Sequence, residues 1–362
     1  MKNFFSPQTF FFAIIFTIAF LSVQAQTQYY WNPAGSSTSA KDKNNWRVGS
    51  CSAATKAFPS TGGVANFSNC ATTNCTIDTT FSVSNIAVTS GYSGTITQSG
   101  SNVVTCHKGS FKGGTFTGSS AAITCDSSLT IDGTAFTSTS GTLTTAEFTY
   151  KSGTFTHNSG SVIFKKGSTS ITTLSSTSNS VSVTFYNAEF SSSIANTVFN
   201  VKNINIILSH TMKISGSNDL FLNSNTSSKI EVQGDLTITN GSTTSGGTCL
   251  LNFDGTGTQN LTGTTGGSGT GKLCNMKVNK SSGTLNYSNN ITLGGSCQFE
   301  YTAGTINPGT SMFNCYYNNI LKKTSNGEWD FNNLNMMGTG GRDSMIGTIT
   351  VLGNFSTSHT GD

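Results

Sequence analysis

Gly94-Thr95-Ile96, Gly114-Thr115-Phe116, Gly133-Thr134-Ala135-Phe136 and Gly153-Thr154-Phe155 repeat one unit: glycine, threonine, then an apolar residue. The apolar members fall 20, 20 and 19 residues apart. Cys106 and Cys125 keep step at 19, and Phe111, Leu129 and Phe148 form a third series ahead of the unit. Three landmarks on one period identify a repeat architecture. Inside the repeat, apolar residues alternate with polar ones, as in Phe148-Thr149-Tyr150, which is the pattern of a strand with one buried face. Gly, Ser and Asn between these runs supply turns. Short strands and their turns make one coil, and a coil cannot bury its apolar side alone. Stacked coils can, placing Phe over Phe and Cys over Cys. The expected fold is all-β: a right-handed parallel β-helix, a solenoid with coils of about 20 residues. No hexapeptide pattern of the left-handed type occurs.

The middle of the chain keeps this grammar less regularly. Val183 to Asn187, Phe199 to Ile204 and Ile230 to Ile238 read as strands, the last with a corner at Gly234-Asp235. The unit returns at Gly283-Thr284-Leu285, Gly304-Thr305-Ile306 and Gly347-Thr348-Ile349. Phe185-Tyr186-Asn187 parallels Phe331-Asn332-Asn333, but Phe185 lies 49 residues before Gly234 and Phe331 22 before Gly353, so any larger repeat carries insertions.

Residues 1–25 read as a signal peptide. Lys2 gives a positive start, Phe10 to Val23 is apolar, and Val23 and Ala25 form a small-residue cleavage site. The run is shorter than the roughly 20 residues a membrane-spanning helix needs, and no other stretch comes near that length, so no transmembrane helix is expected. The expected location is secreted or at the cell surface. Residues 26–85 read as an N-terminal cap region, opening with Tyr29-Tyr30-Trp31 and Asn44-Asn45-Trp46. A solenoid's open end exposes strand edges and core, and a cap covers them. Residues 86–362 read as the β-helix, expected to be C-terminally incomplete because a strand-like segment runs almost to Asp362.

Charged residues make up 9% of the chain, against about 25% in ordinary domains. Ordered Phe, Val, Ile and Leu among the Ser and Thr argue against disorder. The net charge of +4 is scattered and makes no basic stripe, so no nucleic-acid partner is expected. The nine Cys lie beyond the signal peptide, where disulfides are permitted. Cys70 and Cys75 can close a small loop, or either can pair with Cys51; Cys106 and Cys125 read as small buried hydrophobes. With no Cys-x-x-Cys, four isolated His and no Gly-Gly-x-Gly-x-Asp nonapeptide, neither metal nor cofactor is expected. The Gly-rich run Thr264 to Gly271 lacks the Lys-Ser/Thr of a phosphate loop.

The chain resembles the secreted β-helix repeat proteins of Gram-negative bacteria that export through the type IX route, a group of adhesin-like surface proteins. The likeness rests on the Trp31 to Trp46 opening, Gly113-Gly114-Thr115-Phe116, Ser152 to Val162, Phe253 to Leu261 and Val278 to Leu285. It implies a fold and a place, without chemistry. The expected function is a non-enzymatic scaffold that binds extracellular glycans or other surfaces through a Thr/Ser/Asn-rich β face. Trp31 and Trp46 are candidate sugar-contacting residues, with core packing as the competing reading. A polysaccharide lyase or hydrolase is the alternative, since carboxylate pairs serve glycoside cleavage. Glu328 and Asp330 are the best pair, on one face of a strand with Trp329 opposite. A mechanical spacer carrying a further C-terminal domain is a third reading.

Overall fold

The computed structural model describes residues 25–166, 171–177, 181–194, 197–216, 220–225, 228–239, 247–264, 271–337 and 342–357. The signal segment, apart from Ala25, falls outside these, as do residues 265–270, 338–341 and 358–362. The described chain is a parallel β-solenoid of about 12 stacked coils, with a single 3-10 turn at Lys43–Asn45.

Each complete coil has three straight runs, which we call faces A, B and C in chain order. The strand Ile123–Thr137 shows why. Its register against the next coil breaks near Asp126 and again near Asp132, dividing it into Ile123 to Cys125 on face A, Ser128 to Ile131 on face B and Ala135 to Thr137 on face C. Every run pairs in parallel with its counterparts in the coils before and after.

The Gly-Thr-apolar unit is one corner followed by the start of face C. Gly114, Gly133 and Gly153 have φ of 61°, 100° and 97°, a left-handed backbone that suits glycine. A Cβ on Gly153 would sit 2.3 Å from the Thr134 carbonyl oxygen. The threonine then points outward and the apolar residue inward. Ile96, Phe116, Phe136 and Phe155 lie in strict register. The Phe116 and Phe136 rings stack at 4.7 Å and 11°, and Phe136 and Phe155 at 5.9 Å and 7°. Offset ring pairs add about 0.5–1.5 kcal/mol each beyond area burial. Cys106 and Cys125 are also in register on face A, their Sγ atoms 3.2 Å apart.

The third series needs correction. Leu129 lies over Phe148, but Phe111 lies over Ile131, two positions along. The partner of Leu129 is Gly109, where an added Cβ would meet the Phe111 ring at 3.1 Å and Leu129 Cδ1 at 3.3 Å. The Phe111 ring fills the slot that Gly109 leaves open.

Coil length also departs from the expected 20. The interior column of face A runs Val104, Ile123, Leu143, Val162, Ala188, Met212, Leu236, Leu261, Tyr287, each over the next. Its steps are 19 or 20 residues up to Val162 and 24 to 26 beyond it. The two parallel aromatic motifs occupy different settings. Phe185, Leu208 and Val232 occupy successive coils on one face, whereas Phe331 pairs with Val351 in a separate short ladder.

At the N-terminal end, Gln28–Trp31 pairs antiparallel with Trp46–Val48 and parallel with Val64–Phe67. Parallel stacking therefore begins inside the stretch expected to be cap. The antiparallel partner covers the first edge, and Cys51 and Cys70 join its return loop, with Cα atoms 5.5 Å apart.

Candidate functional site

Face C of the front coils presents two columns of outward residues. One is Thr95, Thr115, Ala135 and Thr154; the other is Thr76, Thr97, Thr117, Thr137 and Thr156. The columns flank the inward Cys75-Ile96-Phe116-Phe136-Phe155 row, so the interior aromatic stack and the exterior threonines are two sides of the same strands. The lone alanine has a local cause. The unit at Gly133 carries one extra residue, and Thr134 turns inward, its hydroxyl donating to the Gly113 carbonyl at 2.9 Å. Ala135 then takes the outward place.

The β lattice fixes the grid: about 4.8 Å along each column and about 6.7 Å between columns. All nine residues are half-exposed or exposed. Apart from Thr76, which meets Thr38 at 3.2 Å, none of these hydroxyls bonds a described residue. Threonine is stiff at χ1, so each hydroxyl and methyl is held in place before any partner arrives.

Farther along, the same face carries charge. The column Glu231, Asn252, Lys277, Glu300, Lys322 is in register. Its charges are paired: Glu231 with Lys229, two positions along its strand, at 2.7 Å, and Glu300 with Lys277 at 3.1 Å and Lys322 at 3.5 Å. Burial opposes ionisation of Glu300, but Lys277 and then Lys322 hold its carboxyl below the ordinary value. A shallow cleft of about 310 Å³ lies here, lined by Leu250, Asn275, Met276, Lys277, Gln298 and Glu300. Asp254, nearby, is pushed up by burial and by Glu231.

Polar ladders elsewhere are closed on themselves. Asn260 donates to Asp235, Asn286 to Asn260 and Asn307 to Asn286, each at 3.2 Å along one column. Asn335 donates to Asn314 at 3.3 Å, and Ser356 to Asn335 at 3.0 Å.

The residues singled out from sequence lie apart from the threonine grid. Trp31 and Trp46 are fully buried, stacked edge to face at 5.2 Å, with indole N–H groups donating to the Thr73 and Ala40 carbonyls. They present no ring to solvent, so the sugar-contacting reading of these two is corrected: the edge of the first coil needs their bulk. Glu328 is exposed, Asp330 half-buried and Trp329 buried, the alternation expected of that segment. Trp329 stacks on Tyr301 at 5.8 Å. Burial, then the charges of Glu328 and Asp330, push the Tyr301 phenol up. Cys75 is unpaired and buried at the head of the face C row, and the seven cysteines outside the Cys51–Cys70 pair are all buried. Among the described residues, no three His, Cys, Asp or Glu converge as a metal site.

Two features escaped sequence reading. His107 and Asp126 meet at 2.6 Å across adjacent coils. His157, Tyr186 and His210 form an outer ring ladder, at 5.5 Å and then 4.5 Å. The unequal spacing of His157, Tyr186 and His210 along the chain hid the ladder; the coil lengths were needed to bring those rings together.

No family model, curated protein or solved structure matches the chain.

Proposed function

We propose that the chain is a non-enzymatic, secreted or cell-surface scaffold of adhesin type, which holds extended extracellular surfaces, glycan-coated ones included, through its hydroxyl-bearing β face. One observation carries this reading: eight threonines in two in-register columns, seven of them with hydroxyls unengaged within the described chain. Each contact with such a grid is weak. Repetition on a rigid frame makes the sum strong, because later contacts form at high effective concentration. Stiff side chains also reduce the entropy lost on binding. Export rests on the leader-like residues 1–25 and the resemblance to type IX surface proteins.

The test is binding of the purified chain to glycan arrays, to intact cells and to solid surfaces. The expected result is retention that weakens when Thr117 and Thr137 are both replaced by Lys. Binding no stronger than background on every surface tried would overturn the proposal.

A further inference from the structure

The threonine grid has a narrower reading, which rests on the adhesive function proposed above. A soluble glycan is held by ring faces and by concave sites with a few convergent polar groups. The grid has neither. Its outward members are threonine and one alanine, with no ring and no charge. What it has is periodicity in two directions. The pairings from Thr95 to Thr117, and on to Ala135, Thr137, Thr154 and Thr156, run without a register shift within face C. The partner that fits is itself a two-dimensional lattice of hydrogen-bonding groups at similar spacing.

We infer that this face binds ice. Strand geometry sets the hydroxyls about 4.8 Å apart along a column and about 6.7 Å across, close to the oxygen repeats on a prism face of hexagonal ice. Each threonine offers a hydroxyl that can take a lattice position, and a methyl group that orders the water around it. Because all of these hydroxyls except that of Thr76 bond no described residue, they can join that lattice. The asparagine columns lack this property: Asn260, Asn286 and Asn307 already bond one another. None of the nine grid positions carries a charge, so nothing among them demands a counter-ion that a growing crystal would reject.

The experiment measures thermal hysteresis and partition of the protein into a slowly growing ice hemisphere. The wild type is expected to shape ice and enter it. Thr117→Lys is expected to abolish both, with an unchanged melting curve, since the side chain is on the surface. Thr105→Lys, on face A, is the control and is expected to retain both. Thr117→Ser, which keeps the hydroxyl and loses the methyl, is expected to weaken the effect. A wild type that is excluded from ice overturns the inference. So does ice binding that survives Thr117→Lys, because the grid would then not be the site. Retention on cells or on crystalline polysaccharide without ice binding would also reject ice, while leaving the broader adhesive reading intact.

Discussion

The coils up to Val162 and those beyond it solve one problem with different materials. In the front, steps of 19 or 20 residues leave tight glycine corners, and the interior is largely stacked phenylalanine. From Val162 to Tyr287, steps of 24 to 26 residues on face A add chain at the corners, and the step from Leu285 to Ile306 is 21. Longer corners bring carbonyls that strand pairing does not use, and a buried carbonyl without a donor is costly. Buried polar side chains answer them. Gln259 donates to the Val232 and Gly234 carbonyls, both at 2.7 Å, and Lys280 donates to Gln259 Oε1 at 2.6 Å and to the Gly255 carbonyl. Asn319 does the same for Gly294 and Cys297. The shorter front coils use the same device, with buried Gln98 donating to the Asn102 carbonyl at 2.7 Å and Thr134 to the Gly113 carbonyl at 2.9 Å.

The largest expected effect is alkaline, and it should reach both halves. Burial raises the thiols of Cys75, Cys274 and Cys315 above the ordinary value of 9.0, while Cys125 is raised first by its bond to Cys106 and then by burial. The folded state therefore keeps protons that the unfolded chain releases. Stability is intact below about pH 9 and falls as pH rises through the folded values, by about 1.4 kcal/mol per pH unit for each such group. Thermal melts from pH 8 to 10.5 should show a steep decline. Hydrogen exchange should show front and rear loosening together; loss at one end alone would separate the halves.

Next comes Phe136→Ala, which removes a ring touching Phe111, Phe116 and Phe155. A cost of about 3–5 kcal/mol is expected in urea unfolding, and a value below 1 would mean that the front stack matters less than its geometry suggests. Lys280→Ala leaves two buried acceptors without a donor and should cost about 1–3 kcal/mol for each. The exposed front lysine Lys112 serves as the comparison, and its replacement should be nearly neutral. Glu300→Gln should cost only about 0.2–1 kcal/mol, an effect that fades with salt. The stabilising ionisation of Glu300 is present above its ordinary value of 4.5 and is lost as pH falls through the lowered folded value.

The same division explains what sequence could reveal. A fixed-period search succeeds where coils are equal, so the Ile96-Phe116-Phe136-Phe155 row and the Cys106-Cys125 pair were legible. Thr284-Leu285 over Thr305-Ile306 was legible too. It fails where corners vary, as in Leu236 over Leu261 or Met276 over Phe299, whose spacings share no period. Phe111 misled because two inward positions on one strand look alike when their neighbour is Gly109. The grid was half visible: the unit announced Thr95, Thr115 and Thr154, but the second column emerged only with register. Trp31 and Trp46 drew attention as candidate binders because large aromatic residues serve cores and binding patches alike.

Because each coil is bonded only to its immediate neighbours, the stack has a mechanical character. A load pulling its two ends apart meets one coil-to-coil seam at a time instead of many strands resisting together. Such a tether yields in small instalments and takes up shock by lengthening. Single-molecule stretching would read this as a sawtooth with one tooth per coil, and rupture in a single event would contradict it.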